Sequence, residues 1–457
     1  MRIGRAFAQT FVFQVTQSIL SIATGILVAR ALGPAGQGVY ATVVAGVAIG
    51  AAIGVLGQFQ GVALVAAERT VPARLLLAAA LGHAALLAVV LLAAMPLLRS
   101  ALGIDPAGRL DTVVAILIAL EVLAHLIRGI HLGRQRVMAY NALTFVQRTL
   151  VFLGVVALIA TEAVTVTRIV GLWAAGLSVS LVAGAVIVLR SSDPAPLSLR
   201  GALAAWSRAF GRGGRALAVL GLTLLLVRAD IWMLRPMLGI DVVGQVSIAS
   251  GLAEWLWYVP TMAANLLFAA VAADRGAMTV AKVARAARMV VALSAPAALL
   301  LVLVGKALVV RLYGADYAPA GLLFVLLVPG MLAVAVHLIV DAYFAGTGFP
   351  PVTLWAAAGA LLAKIGLNLL VVPRYGAPGA AVVTSAVYAG LLATKVIWFR
   401  RHTGTPASAL LVPRAEDLAL VRERASAWIR RLRGAAPVDD AVPPGQAPRA
   451  ARTRASS

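Results

Sequence analysis

Long apolar segments alternate with short polar connections along most of the chain. An apolar stretch of about twenty residues predicts a helix that crosses a bilayer, because each span must cover about 30 Å of hydrocarbon. The segment 243–272 has the length of one tilted or kinked helix, and Pro260 is the expected position of its kink. The sequence predicts about twelve transmembrane helices, centred on 9–28, 39–58, 75–98, 112–130, 142–160, 168–189, 216–235, 243–272, 287–305, 320–344, 352–372 and 379–399.

A short glycine pattern occurs twice, roughly half the chain apart. Gly33 and Gly38 recur with the same spacing as Gly239 and Gly244, and a leucine precedes the first glycine of each pair. Each copy lies between two apolar windows, where glycine permits a sharp turn and the close approach of two helices. The repeat indicates two homologous helix bundles that meet at a seam, unless the pattern recurs by chance in alanine-rich sequence.

These patterns divide the chain into four segments. Two six-helix bundles are expected, with a polar connection between them and a polar tail after the second. The predicted segments are an N-terminal bundle (1–190), a cytoplasmic linker with an amphipathic helix (191–215), a C-terminal bundle (216–400) and a cytoplasmic tail with an amphipathic helix and a disordered end (401–457).

Two segments outside the predicted spans have amphipathic periodicity. In the linker, Leu199, Leu203 and Phe210 recur at helical spacing, which predicts a connecting helix in the inner headgroup layer. In the tail, acids begin and arginines end the apolar repeat over 415–433, as the helix dipole favours. A second membrane-surface helix is expected there, with a partner-binding helix as the alternative. The remainder is rich in Pro, Ala and Arg and is expected to be disordered.

Composition and charge support a membrane protein over other classes. Hydrophobic residues make up 62% of 457 positions, 12% are charged, and mean hydropathy is +0.97. Soluble domains do not have this composition. The formal charge of +22 is spread over loops and the tail, so we expect attraction to anionic membrane lipid and no nucleic-acid partner. The chain contains no cysteine, which excludes disulfides and thiolate metal sites.

The distribution of Arg and Lys predicts the orientation of the chain. With the N-terminus inside, sixteen of them fall in the inner connections and eight in the outer ones, before the tail is counted. The positive-inside rule therefore predicts a multi-pass membrane protein with both termini in the cytoplasm. Both glycine turns then lie outside. An inverted repeat would place them on opposite sides, so the two bundles are expected to be parallel-related, by an axis along the membrane normal.

Five ordered segments resemble those of a known family. They are 26–40, 133–141, 228–260, 312–319 and 368–381, and the last contains the sequence Pro-Arg-Tyr-Gly. Together they resemble bacterial polysaccharide flippases of the Wzx type, in the multidrug, oligosaccharidyl-lipid and polysaccharide exporter superfamily. The resemblance extends over most of residues 5–400 and does not include the tail.

The resemblance implies a fold, a substrate and partners. The fold would be an all-α, V-shaped pair of six-helix bundles that alternates between inward and outward openings. The substrate would be an undecaprenyl-pyrophosphate-linked oligosaccharide, moved across the inner membrane for assembly of O-antigen, capsule or exopolysaccharide. A polysaccharide polymerase and glycosyltransferases of the same pathway would be its partners. No cofactor is expected, and no metal, because the sequence shows no ligand cluster.

Cations within the predicted spans are candidates for binding this substrate. A charged residue in a span costs about 2.5–3.5 kcal/mol, so each requires an explanation. Arg148, Arg228 and Lys364 are predicted to line a cationic lumen that screens the pyrophosphate and any acidic sugars. Asn368 lies one turn after Lys364 on the same helix face. The alternative is internal salt bridges, for instance Lys364 with Glu254.

Acids and histidines in the spans have two interpretations. The candidates for ion coupling or salt bridges are Glu121, His125, Asp230, Glu254, His337 and Asp341. Glu121 with His125, and His337 with Asp341, are one turn apart and could carry a proton, although structural hydrogen bonds are favoured. A second internal salt bridge, Arg148 with Glu121, is also open.

Arg228 and Asp230 are two residues apart on one predicted helix. They therefore point about 200° apart around its axis, so one is expected to line the cavity and the other to meet a neighbouring helix or the outer interface. The sequence leaves open which of the two does which.

The first helix favours a flippase over other functions. Gln14, Gln17, Ser21 and Thr24 form a polar stripe without an acid, and Gln14 and Gln17 are predicted to bind substrate. Drug-exporting relatives typically use an acid in this helix, so a multidrug/cation antiporter on the same fold is the alternative. A membrane-embedded glycan polymerase or acyltransferase is disfavoured by the short outer loops. No Walker-type sequence is present, so a transporter is expected rather than an enzyme that hydrolyses nucleotide by that means.

Overall fold

The protein was analysed as a computed structural model, which describes residues 2–55, 57–94, 96, 109–191, 196–273, 276–348, 350–417, 419, 422–423 and 426. Within these ranges the regular structure is helical and contains no strand. The α-helices are α1 (Arg2–Val55), α2 (Gln58–Glu68), α3 (Ala73–Ala93), α4 (Arg109–Gly133), α5 (Val137–Ala160), α6 (Val166–Arg190), α7 (Leu199–Leu238), α8 (Ile240–Ala253), α9 (Tyr258–Ala273), α10 (Ala277–Tyr313), α11 (Ala318–Gly346), α12 (Pro351–Thr403) and α13 (Ser408–Leu411).

The helices account for the twelve apolar windows. Eight helices of the described residues are long and apolar enough to cross a membrane. Two of them, α1 and α12, each contain two spans joined at a glycine with positive φ, Gly33 (φ 65°) and Gly376 (φ 59°). Glycine adopts this backbone conformation without the steric penalty of a Cβ atom. Helix α7 and the pair α8–α9 supply the remaining spans. The prediction of an all-α membrane protein with about twelve spans is confirmed.

The long window 243–272 forms two helices with a break between them. A 3₁₀ segment, Glu254–Trp257, separates α8 from α9, and Pro260 lies in the first turn of α9. Proline has no N–H for the carbonyl four residues earlier, which belongs to Leu256. The break therefore lies one turn before Pro260, where the proline interrupts the hydrogen-bond pattern.

The amphipathic linker segment is continuous with the seventh span. Helix α7 begins at Leu199 and runs without interruption to Leu238, whereas the sequence predicted a separate surface helix. Leu199 is exposed, while Ala205 and Ala209 are buried. A Cβ atom on Gly61 of α2 would lie 1.9 Å from the carbonyl oxygen of Ala209. Small residues thus fix the start of α7 against the N-terminal helices.

The first part of the tail packs against α10. After α12 the chain turns at Gly404 (φ 72°), and Leu410 of α13 is fully buried. Asp417 is also buried and forms an ion pair with Arg288 of α10, with 2.6 Å between Oδ2 and Nε. Most of the predicted tail helix (415–433), and all of the chain beyond it, lie outside the described residues.

The two glycine turns pack against each other. A Cβ atom on Gly38 would lie 2.0 Å from the carbonyl oxygen of Ile240, and one on Gly244 would lie 2.0 Å from that of Pro34. The two contacts are reciprocal, as a two-fold axis between parallel-related halves produces. Helices α1 and α8 meet here, and the contact closes the end of the seam that the charge distribution predicts to be outside.

Hydrogen bonds across the same end join the two halves. The guanidinium of Arg30 donates to the carbonyl oxygens of Leu312 and Arg311, both at 2.7 Å. These carbonyls belong to the last turn of α10, where no partner exists within the helix. The Tyr317 hydroxyl donates to the Ala29 carbonyl at 2.9 Å. Backbone carbonyls accept all three of these hydrogen bonds.

Candidate functional site

A polar cavity of about 500 Å³ lies among α1, α4, α5 and α6. We call it the arginine cavity, and its lining residues are Ser21, Thr24, Gly25, Tyr40, Val44, Glu121, His125, Arg128, Thr144, Gln147, Arg148, Val151 and Trp173. A second cavity of about 490 Å³, the apolar chamber, continues from it toward Gly57 and Gln60. Both volumes are within the range of small-molecule sites. The predicted polar stripe of helix one contributes Ser21 and Thr24 to the arginine cavity.

Arg148 is a cation in this cavity without a carboxylate partner. Its guanidinium donates to the backbone carbonyl of Gln17 at 3.1 Å and to the Ser21 hydroxyl. Among the described residues no carboxylate oxygen lies within 4 Å of it. The predicted salt bridge between Arg148 and Glu121 is therefore absent. A guanidinium held by neutral acceptors retains its full charge for an anionic ligand.

The two glutamines predicted to bind substrate lie elsewhere. Gln17 is buried, and its amide donates to the Asn141 carbonyl at 3.0 Å, which ties α1 to α5. Its own carbonyl accepts the bond from Arg148. Gln14 is exposed and does not line the arginine cavity. Gln17 thus positions the arginine, and Gln14 has no contact with the cavity.

Glu121 is the acid of the arginine cavity, and its partners come from two helices. Trp173 of α6 donates its indole N–H to Oε1 at 3.0 Å, and Nη2 of Arg128 lies 3.5 Å from Oε2. His125 Nδ1 donates to the Glu121 carbonyl at 2.8 Å. Neither Arg128 nor Trp173 is among the site residues that the sequence predicted. The spacing 121, 125, 128 puts these side chains on one face of α4 and could have indicated Arg128.

Lys364 and Asn368 belong to a buried cluster between α7 and α12. The ammonium of Lys364 lies 2.7 Å from Asp230 Oδ2 and donates to the Leu226 carbonyl at 2.8 Å. Asn368 and Thr384 donate to Asp230 at 3.1 and 2.9 Å. Lys364 and Asn368 have no exposed surface. Lys364 is therefore in an internal ion pair, and its partner is Asp230 rather than Glu254.

Arg228 is also paired within the C-terminal helices. Its Nη1 atom lies 3.1 Å from Glu254 Oε1, and its side chain is 28% exposed. Asp230, two residues later, faces α12 and is 6% exposed. Asp230 thus contacts a neighbouring helix, while Arg228 is the more accessible of the two and does not line the arginine cavity. Both charges are balanced by an opposite charge.

A third charged cluster lies at a cavity of about 360 Å³ among α7, α9, α11 and α12. Asp341 Oδ2 lies 3.0 Å from His337 Nδ1 and accepts a hydrogen bond from the Lys395 ammonium at 2.7 Å. The Asp341 side chain is 31% exposed and lines the cavity, together with Trp257 and Phe268. This acid, predicted as a coupling candidate, is thus accessible from the cavity and paired with a buried lysine.

Comparisons with known proteins establish the fold. No protein-family model matches the chain, and a search of curated proteins found no match. Among solved structures, the lipid II flippase MurJ in an inward closed conformation has a TM-score of 0.70 at 11% identity, with 93% of each chain covered.

Two further solved structures are transporters of the same architecture. An inward-facing multidrug resistance MATE family transporter of the MOP superfamily has a TM-score of 0.61 at 16% identity, covering 85% of this chain and 94% of that one. A point mutant of the Vibrio cholerae MATE transporter VcmN has a TM-score of 0.59 at 12% identity, covering 88% of this chain and 99% of that one. The chain therefore has the V-shaped fold of MOP-superfamily transporters.

Proposed function

We propose that the chain is a flippase of the Wzx type, which translocates undecaprenyl-pyrophosphate-linked oligosaccharide units across the bacterial inner membrane by alternating access. The observation that carries the proposal is the uncompensated guanidinium of Arg148 in a cavity inside the membrane domain. A cation inside a membrane domain has a free-energy cost, so its presence there indicates a functional role such as binding an anionic ligand. A pyrophosphate supplies the anion, and arginine binds phosphate oxygens through two parallel hydrogen bonds.

The charges of the C-terminal helices favour a different role for that half. Arg228 is paired with Glu254, Lys364 with Asp230 and Lys395 with Asp341. Ion pairs of this kind hold helices in register and offer little net charge to a substrate. We therefore place the binding of the pyrophosphate in the arginine cavity, and coupling to an ion gradient at the cavity-lining pair His337–Asp341.

The multidrug/cation antiporter on the same fold is the competing function. A transporter of organic cations requires an acid in the cavity that is free to bind a positive charge. In the arginine cavity the acid is Glu121, which already contacts Arg128 and Trp173. The remaining charge, on Arg148, repels a cationic drug. The electrostatics of the described cavity therefore favour an anionic substrate.

Orientation and partners follow from the same proposal. Both termini would lie in the cytoplasm, and the closed seam at Gly38 and Gly244 would face the outside, so that substrate enters from the cytoplasmic leaflet. The glycosyltransferases that build the unit would act before the flippase, and the polymerase that extends it would act after it. Membrane lipid surrounds the chain, and no cofactor or nucleic acid takes part.

The test is substitution of Arg148 in a bacterium whose own polysaccharide flippase is deleted. Arg148→Gln should abolish surface glycan while the protein still inserts, and Arg148→Lys should retain part of the activity because it preserves the charge but not the paired hydrogen bonds. Arg168→Gln is the matched control, since Arg168 is exposed and bonds only locally to the Ala163 carbonyl at 2.8 Å. Normal glycan in the Arg148→Gln strain, or efflux of cationic dyes that depends on the chain, would contradict the proposal.

A further inference from the structure

The arginine cavity and the apolar chamber share one wall. Its members are Val44, Glu121, His125 and Trp173, which line both cavities. A ligand that extends from Arg148 toward the apolar chamber must therefore pass this wall. The wall combines an indole surface with a carboxylate and an imidazole, whereas the rest of the apolar chamber is mainly aliphatic and the rest of the arginine cavity consists mainly of neutral polar side chains and two arginines.

The carboxylate of Glu121 is held in one orientation and retains free acceptor positions. The indole N–H of Trp173 donates a hydrogen bond to Oε1 at 3.0 Å, and Nη2 of Arg128 lies 3.5 Å from Oε2. An ionised carboxylate accepts about four hydrogen bonds. The side chain is 13% exposed and lines both cavities, so its remaining lone pairs are available to a ligand.

His125 provides a second acceptor beside it. Its Nδ1 atom lies 2.8 Å from the Glu121 carbonyl, an acceptor, so Nδ1 carries the proton. Arg128 Nη2 lies 3.4 Å from the same nitrogen, and because both atoms then carry hydrogens, they do not form a hydrogen bond with each other. In the neutral imidazole with its proton on Nδ1, Nε2 is an acceptor, and the side chain is 43% exposed. The free groups of the wall are thus acceptors.

We propose that Trp173, Glu121 and His125 form a carbohydrate subsite, which binds the sugar attached to the pyrophosphate and selects neutral sugars. The inference rests on the proposed flippase function. The apolar face of a sugar ring can stack on the indole of Trp173, whose N–H is already used by Glu121. Sugar hydroxyl and acetamido groups donate to Glu121 and His125. The carboxylate of a uronic acid has no hydrogen to donate, so it cannot use these acceptor positions and would meet the lone pairs of Glu121.

The subsite narrows the substrate class expected from the sequence. A wholly cationic lumen would suit acidic sugars as well as the pyrophosphate. In the described cavity the positive charge is concentrated at Arg148, while Glu121 with Arg128 forms a nearly neutral pair. The anionic linkage and the neutral sugar therefore have separate positions. A purely structural role for the Trp173–Glu121 bond would only tie α4 to α6 and would impose no preference among sugars.

The experiment measures the affinity of three probes for the full-length protein in nanodiscs, by microscale thermophoresis. The probes are undecaprenyl pyrophosphate, the same lipid carrying N-acetylglucosamine, and the same lipid carrying glucuronic acid. The wild type should bind the N-acetylglucosamine probe about tenfold more tightly than the bare lipid. That ratio corresponds to about 1.4 kcal/mol, the size of one or two hydrogen bonds. The glucuronic acid probe should show no such gain.

Variants separate the subsite from the pyrophosphate site. Trp173→Ala should remove the gain from N-acetylglucosamine and leave the affinity for the bare lipid within about twofold, and Trp173→Phe should retain part of the gain because it preserves an aromatic face. Glu121→Gln should increase the affinity for the glucuronic acid probe relative to the wild type. Trp355→Phe is the matched control, because Trp355 is 72% exposed and lies outside both cavities.

The outcomes distinguish the two proposals. If Arg148→Gln weakens all three probes while Trp173→Ala keeps the sugar-dependent gain, the subsite is wrong and the flippase proposal stands. If the wild type prefers the glucuronic acid probe, the selection of neutral sugars is wrong. If Arg148→Gln leaves the affinity for the bare lipid unchanged, the proposed function itself fails.

Discussion

Alanine at Gly38 or Gly244 should weaken the seam where the two halves meet. The added methyl group at Gly38 would lie 2.0 Å from the Ile240 carbonyl oxygen, and the one at Gly244 would lie 2.0 Å from that of Pro34. Close carbon–oxygen contacts in proteins are about 3.3 Å. The two helices must therefore separate by roughly 1 Å. Both glycines lie in helical segments, so alanine adds no backbone strain of its own.

The size of the effect follows from the seam contacts. Overpacking of this kind costs about 1–3 kcal/mol. Separation also stretches the hydrogen bond from Gln37 to Ser247, now 3.2 Å, and those from Arg30, each worth about 0.5–1.5 kcal/mol or more for the charged donor. A loss of about 3 kcal/mol from the closed state changes its ratio to the open state by roughly a hundredfold. Under the proposed function, transport should fall, because the seam no longer closes fully.

Spin-label distances provide the assay. The chain contains no cysteine, so cysteines introduced at Glu162 and Tyr375 would be the only labelled sites. Both positions are exposed and lie at turns of the two different halves on the predicted outer side. Gly38→Ala should add a longer distance to the distribution. Gly82→Ala is the control, since a Cβ atom there meets nothing within 4 Å. Identical distances and transport for Gly38→Ala and wild type would refute this account of the seam.

Two further predictions concern ion pairs. Lys364→Met leaves Asp230 buried without its cation and should cost about 3–5 kcal/mol of stability, whereas the double variant with Asp230→Asn should recover most of this loss. Thermal stability measured by fluorescence-detected gel filtration checks both variants. A Lys364→Met protein that is stable but inactive would contradict the structural role and support a substrate-binding role for Lys364 in the lumen. Hydrogen bonding from Arg288 lowers the pKa of Asp417 below its ordinary value. A lowered pKa stabilises the folded state above the unfolded value of about 3.9, and this stabilisation is lost as pH falls through the folded value. Limited proteolysis of the tail should therefore be slow at neutral pH and accelerate in acid below about pH 4, and Asp417→Asn should be cleaved rapidly already at pH 7.

The spans and the seam were predictable from the sequence because their signals are local. Each span is a continuous apolar window, and the glycine repeat predicts where two helix pairs turn. The contact of Gly38 with Gly244 was not among the predictions, although glycine without a side chain permits such backbone approach. The helix break before Pro260 also has a local cause, because proline lacks the backbone N–H that would continue the hydrogen-bond pattern.

The ion pairs were not predictable in the same way. Spacing along one helix shows which residues share a face, but it does not show which neighbouring helix that face meets. Lys364 could therefore be assigned to Glu254, although α12 places it against Asp230 of α7. Trp173 comes from α6 and reaches Glu121 of α4, a contact that depends on tertiary packing alone.

The two halves share a fold, but their interior charges differ in a way that bears on transport. In the described part of the C-terminal half each buried cation has an acid within 3.1 Å, whereas Arg148 in the N-terminal half is held by neutral oxygens. Under the proposed function, the substrate anion would therefore remain with the N-terminal half during both inward and outward opening. Opening and closing of the Gly38–Gly244 seam would then change which side of the membrane this cavity faces, while the anion keeps the same arginine.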